Sequence, residues 1–64
     1  MYQVTLISEG SEVGYGEGES LQWARQEAVQ SLDHWSRMLL QSFGGEWLIV
    51  TPTGVRRERV EVRP

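Results

Sequence analysis

A long stripe of apolar residues, bounded by a serine and two glycines, constrains this 64-residue chain more than any other feature. Its members recur every three or four positions, which is the spacing of one face of an α-helix. They are Leu21, Ala24, Ala28, Leu32, Trp35, Leu39 and Phe43. Ser20 is a favourable N-cap, and Gly44-Gly45 can end a helix because glycine readily takes a left-handed conformation. The stripe therefore predicts one long helix from Ser20 to about Phe43.

The segments on both sides of this helix have the alternating pattern of β-strands. Residues 1–8 alternate between apolar and polar side chains, and Glu9-Gly10-Ser11 is typical of a turn. Residues 46–51 and 55–63 are two further strands around a turn at Pro52. A short strand at residues 12–16 gives the order β-β-α-β-β; without it the order is β-α-β-β. We predict one α+β domain over residues 1–64, with a small, mainly antiparallel sheet and the long helix packed on one face.

The glycine-rich stretch VGYGEGES, residues 13–20, raises the question of phosphate binding. A P-loop requires a lysine after its last glycine, where this chain has Glu19, and the G-x-G-x-x-G dinucleotide pattern fails at Glu19 and Leu21. Glu17 and Glu19 would also repel an anion at the start of the helix. We therefore predict that the stretch leads a strand into the helix, that it binds no nucleotide or phosphate, and that the protein uses no cofactor.

The charge of the chain bears on its partners. The formal net charge of −3 and the pI of about 4.9 argue against general nucleic-acid binding. Four arginines are nevertheless concentrated near the C-terminus, and they form a possible nucleic-acid contact: Arg56, Arg57, Arg59 and Arg63. Glu58 and Glu61 interrupt this group, and charged residues also protect the edge strand of a sheet. We favour the protective role.

Other classes of function find little support in the sequence. The single histidine, His34, lacks a partner for catalysis or metal binding, since its neighbour Asp33 would point about 100° away on a helix. We therefore expect no enzymatic activity and no metal site. The chain has no cysteine, no apolar run of the ~18 residues needed to span a membrane, and no signal-peptide pattern. A cytoplasmic protein without membrane contact is the expectation.

The length of the predicted helix suggests self-association. A helix of this length would run roughly 36 Å, whereas strands of about six residues reach only about 20 Å. Its last turns should therefore overhang the sheet, and we predict a homodimer in which Met38, Leu40 and Phe43 lie in the interface. Trp23, off the apolar stripe, is a further possible partner contact. The alternative is a break near Asp33-His34 that folds the last turns back onto the sheet.

Three resemblances to known families follow from these patterns. Ser20, Leu21, Ala24, Ala28, Leu32 and Trp35, after an N-terminal hairpin, resemble HicB-type antitoxins, in which a small sheet packs on one helix. Proteins of that family associate with each other and bind a partner toxin. Gly16, Gly18, Ser20, Ala24, Ala28 and Leu32 are similar to the second half of a double-stranded RNA-binding domain. Trp35, Arg37, Gly44, Gly45, Thr53 and Gly54 resemble the small core-linker domains of phycobilisomes.

These resemblances and the composition lead to one functional expectation with an alternative. The RNA-binding family places lysines after the serine, where this chain has Leu21 and Gln22, so that resemblance concerns the fold and not the RNA site. We expect a non-catalytic module that binds a protein partner, and the first resemblance implies an antitoxin-like role for it. The alternative is a nucleic-acid-binding module that uses the C-terminal arginines.

Overall fold

The computed structural model describes residues 1–60, which form a four-stranded antiparallel sheet and two helices. The elements follow in the order β1 (Tyr2–Ser8), β2 (Ser11–Gly18), α1 (Leu21–Gln30), α2 (His34–Phe43), β3 (Gly45–Thr51) and β4 (Gly54–Val60). The strands lie side by side in the order β2-β1-β3-β4. The prediction of a small α+β domain with an antiparallel sheet is confirmed. Residues 13–18 of the glycine-rich stretch lie in β2, and Glu19 and Ser20 connect this strand to α1.

The prediction of one long helix is wrong, because the helical segment breaks between Ser31 and Asp33. The Ser31 hydroxyl donates to the carbonyl of Ala28 at 2.7 Å, and the Asp33 carboxylate accepts from the backbone N–H of Ser36 at 2.7 Å. Serine and aspartate side chains compete in this way for backbone groups, and they favour helix ends over helix interiors. The element order is therefore β-β-α-α-β-β, and the break near Asp33-His34 is the alternative that the structure adopts.

Helix α1 packs so closely against β2 that two positions of the strand have room only for glycine. A β-carbon on Gly14 would lie 2.8 Å from the carbonyl oxygen of Ala28, and one on Gly16 would lie 2.7 Å from the carbonyl carbon of Glu27. The helix presents its smallest side chains to the strand, since Ala24 and Ala28 are fully buried. Gly14 and Gly16 thus provide a flat surface against which α1 packs. This packing explains why the glycines alternate along the strand.

The core lies between α1 and one face of the sheet. Cross-strand register places Leu6 opposite Gly14 on one side and Trp47 on the other, so side chains of β1, β2 and β3 share this face. The buried apolar residues are Val4, Leu6, Ala24, Ala28, Leu40 and Ile49. We call this side of the sheet the helix face and the opposite side the open face.

The C-terminal end of α2 is attached to the helix face by two contacts. Leu40 packs into the core beside Gly45, where a β-carbon would lie 2.7 Å from a Leu40 methyl group. The buried Ser8 hydroxyl donates to the carbonyl of Gly44 at 2.8 Å. This hydrogen bond joins the end of β1 to the connection between α2 and β3, which are 36 positions apart in sequence.

Candidate interaction surfaces

Helix α2 presents three large apolar side chains to solvent. Trp35 is 71% exposed, Phe43 66% and Met38 43%. Trp35 belongs to the apolar stripe that predicted the helix, but the break before α2 changes which side of the helix meets the sheet. Leu40, outside that stripe, becomes the buried residue of α2. We call Trp35, Met38 and Phe43 the α2 surface.

The α2 surface continues into a cleft at the end of the sheet. The cleft has a volume of about 650 Å³, and Phe43 forms part of its wall. Charged side chains of both signs line it as well, among them Glu9, Glu46 and Arg59. An apolar patch beside a charged cleft is the arrangement of many protein-binding sites, in which a dry centre is surrounded by a polar rim.

The structure does not bring the four predicted interface residues together. Met38 and Phe43 lie in the α2 surface, whereas Leu40 is only 8% exposed and packs in the core. Its assignment to a subunit interface is therefore replaced by a role in the fold. Trp23 is 54% exposed, but it lies at the start of α1 against Gly18, at the opposite end of the sheet from Gly44.

The register of β4 separates the C-terminal arginines. Arg56 lies opposite the buried Ile49 and therefore on the helix face, whereas Arg57 and Arg59 point to the open face. Arg56 contacts Glu58 at 2.9 Å, and Arg57 contacts Glu46 at 3.2 Å. Arg63 lies outside the described residues. The three described arginines thus do not form one continuous basic surface.

An ion-pair cluster on the helix face was not apparent from the sequence. Arg25 donates to Glu58 at 2.9 Å, and its guanidinium lies 5.0 Å from the ring centroid of Trp47. Glu58 also accepts from Arg56 through its other carboxylate oxygen. The hydrogen bond from Arg25 is the main reason that the pKa of Glu58 is lowered. No sequence pattern could have indicated this cluster, because Arg25 and Glu58 are 33 positions apart.

Two further groups have shifted pKa values with local structural causes. The backbone N–H of Ser36 donates to Asp33 at the start of α2, and this hydrogen bond lowers the pKa of Asp33. Partial desolvation raises the pKa of Tyr15, and its hydrogen bond to Glu17 at 3.1 Å raises it further. Helix capping therefore accounts for the lowered pKa of Asp33, and desolvation together with a surface hydrogen bond accounts for the raised pKa of Tyr15.

Metal sites, membrane spans and relatives give no further indication of function. Within residues 1–60, no group of three or more histidine, cysteine, aspartate or glutamate side chains is placed to hold a metal ion. In the same part of the chain, no helix is long and apolar enough to span a membrane. Neither a protein-family model, nor a curated protein, nor a solved structure matches this chain.

Proposed function

We propose that this domain is a non-catalytic protein-interaction module that binds its partner through the α2 surface. The observation that carries the proposal is the exposure of Trp35, Met38 and Phe43 on one short helix. Burying a large apolar side chain contributes about 1.5–3 kcal/mol, so these side chains favour association with another surface. Tryptophan is also enriched among the residues that dominate binding energies at interfaces.

The weak attachment of α2 to the sheet suits this role. The helix is held to the fold mainly by Leu40 and by the Ser8–Gly44 hydrogen bond. Leu39 is half-buried, whereas Trp35, Met38 and Phe43 face outward. The adjoining cleft offers Glu9, Glu46 and Arg59 as polar contacts that would fix the orientation of a partner. We therefore expect an apolar segment at the centre of the partner's binding surface, flanked by charged residues.

The proposal also covers the identity of the partner and the oligomeric state of this domain. The resemblance to HicB-type antitoxins would make the partner a toxin, and a homodimer remains part of the proposed function. Nucleic-acid binding through the β4 arginines is the alternative. The ion pairs that engage Arg56 and Arg57 reduce the charge available to phosphates, so this alternative ranks second.

The test compares a double variant of the α2 surface with a matched control. Proteins retained by the immobilised wild type would be identified, purified and titrated by calorimetry against each variant. We expect Trp35→Gln/Phe43→Gln to weaken binding about tenfold or more, because both anchors are removed. Trp23→Gln removes another exposed tryptophan from the other end of the molecule, and it should leave binding unchanged. A partner that binds the double variant as well as the wild type would contradict the proposal.

The nucleic-acid alternative has its own measurement. Fluorescence anisotropy with labelled double-stranded RNA and DNA near physiological salt should give weak and unspecific binding. A submicromolar complex that weakens when Arg56, Arg57 and Arg59 are replaced would reverse the ranking of the two functions.

A further inference from the structure

The open face of the sheet has no helix over it within residues 1–60. Both helices pack on the other side, as shown by Ala28 against Gly14 and by Leu40 against Gly45. Because residues that are paired across an antiparallel sheet share a face, the register defines the open face residue by residue. It consists of three rows: Glu12–Ile7–Glu46–Arg59, Tyr15–Thr5–Leu48–Arg57 and Glu17–Gln3–Val50–Val55.

The centre and margin of the open face contain apolar side chains. Ile7, Leu48 and Val50 are half-buried on the two central strands, although no second layer from residues 1–60 covers them. On the outer strands, Val55 is 67% exposed and Tyr15 is 48% exposed. Sheets with such a face commonly pack against a second sheet about 10 Å away.

The charges of the open face lie on its two outer strands, apart from Glu46 on β3, which pairs with Arg57 at 3.2 Å. Glu12 and Glu17 lie on β2, whereas Arg57 and Arg59 lie on β4. Three strand spacings, about 14 Å, separate the two strands. The face therefore changes from acidic to basic across its width, and a partner face must change in the opposite direction.

The open face of a second copy of this chain, placed in one orientation, changes from basic to acidic in the required direction. A two-fold axis parallel to the strands places β2 of one protomer over β4 of the other. Glu12 then faces Arg59 of the second copy, and Tyr15 faces Arg57, which allows a cation–π contact. A two-fold axis perpendicular to the strands would place β2 over β2, bringing acids onto acids and arginines onto arginines. We propose that the open face is a homodimer interface with the two-fold axis parallel to the strands.

The edges of the sheet are less suited to self-association than its open face. On the outer side of β2, the backbone N–H of Tyr15 donates to the Ser31 hydroxyl at 2.9 Å, so the C-cap residue of α1 already occupies this position of the edge. On β4, four consecutive residues, 56–59, are charged, and charged side chains oppose edge-to-edge pairing. These features favour stacking of faces over extension of the sheet.

The size of the open face predicts a weak dimer. Four strands about 4.8 Å apart and about 20 Å long give a face of about 400 Å² in projection. Interfaces of this size are typical of transient complexes. The association should weaken at high salt, because two Glu12–Arg59 pairs lie at its margin. This inference rests on the homodimer of the proposed function. It shares Arg59 with the cleft beside the α2 surface, but it uses none of Trp35, Met38 and Phe43, so the two proposals are tested by different variants.

A charge-exchange experiment tests the inference by sedimentation equilibrium at low and high salt. Glu12→Arg and Arg59→Glu each place like charges opposite each other in the dimer, and each should raise its dissociation constant about tenfold. The double variant Glu12→Arg/Arg59→Glu should restore dimerisation. An equimolar mixture of the two single variants should form heterodimers, because positions 12 and 59 then carry opposite charges at both contacts between the protomers.

Controls separate this mechanism from net charge and from misfolding. Arg37→Glu changes the net charge by the same amount as Arg59→Glu, but it lies on the exposed side of α2 and should leave the dissociation constant unchanged. Circular dichroism of each variant verifies that it is folded. A single 7.3 kDa species at about millimolar concentration and low salt would overturn the inference. Strengthening of the dimer by Glu12→Arg would also overturn it and would indicate the perpendicular axis.

Discussion

Gly16 lies in backbone contact with Ala28, and this contact sets the distance between β2 and α1. A β-carbon at position 16 would meet the helix backbone, including the carbonyl carbon of Glu27 at 2.7 Å, and backbone atoms cannot rotate aside. We expect Gly16→Ala to lower the free energy of unfolding by about 1–3 kcal/mol, and Gly16→Val to lower it further. Urea unfolding followed by circular dichroism measures the loss.

Gly18→Ala is the matched control for this prediction. A β-carbon at position 18 would meet the side chain of Trp23, which is 54% exposed and has room to move. The loss of stability should therefore be smaller than for Gly16→Ala. Equal losses in the two variants would show that α1 does not depend on close approach at Gly16.

The strands could be predicted from the sequence more fully than the helical segment. Alternation in β1 and the turn at Glu9-Gly10 predicted the first hairpin, but glycines carry no side-chain signal, so their packing against α1 was not apparent. The apolar periodicity of residues 21–43 outweighed the weaker signals of Ser31 and Asp33, which favour helix ends. The position of Leu40 in the core depends on where the helix turns, and this is a property of the tertiary fold.

Removing the Ser8 hydroxyl should loosen the attachment of α2. In Ser8→Ala the half-buried carbonyl of Gly44 loses its hydrogen-bond donor, and the loss of such a hydrogen bond costs about 0.5–1.5 kcal/mol. Urea unfolding should show that loss. Hydrogen exchange should show that the variant accelerates the exchange of α2 amides, relative to the wild type, more than the exchange of β1 amides. Ser11→Ala, at an exposed position of the same hairpin, should change neither measurement. Uniform acceleration of exchange across the molecule would contradict a local role for Ser8.

The surfaces were harder to predict than the fold because they depend on strand register. A shift of one residue moves every side chain of a strand to the opposite face. The sequence therefore showed that arginines were concentrated in β4, but not that Arg56 would join Arg25 and Glu58 while Arg57 and Arg59 face the other way. Met38 and Phe43 were predicted to lie in a partner interface; the structure exposes both side chains, and the interface itself stays a prediction.

The first hairpin contains a strained residue whose replacement should stabilise the fold. Glu9 and Gly10 connect Ser8 to Ser11, and both have positive φ, 52° and 75° respectively. This is the pattern of a type I′ turn, in which asparagine is favoured at the first position. We expect Glu9→Asn to raise the free energy of unfolding by about 0.5–1 kcal/mol, since asparagine enters the left-handed region at a lower cost than glutamate. Glu9→Ala also removes the charge but lacks the asparagine side chain, so it should give little or no gain. Equal stabilisation by both variants would assign the effect to charge.

The Arg25–Glu58 pair should make the free energy of unfolding depend on pH in the acidic range. The pKa of Glu58 is lowered from its usual value of 4.5, chiefly by the hydrogen bond from Arg25. Its contribution to stability is therefore fully present above the unfolded pKa, and it is lost as the pH falls through the lower folded pKa. Arg25→Met keeps an apolar stem over Trp47 and removes the charge, so the pKa of Glu58 should rise towards its usual value and the acid-dependent loss of stability should become smaller.

Urea unfolding between about pH 5 and about pH 2 measures that loss, and NMR titration of the carboxyl groups gives the pKa of Glu58 directly. Asp33 is the control for this pH range, because its pKa is lowered as well and its protonation also destabilises the fold on acidification. Asp33→Asn should remove that separate contribution and leave the pKa of Glu58 unchanged. A Glu58 pKa that stays the same in Arg25→Met would show that Arg56, on the other carboxylate oxygen, is sufficient to lower it.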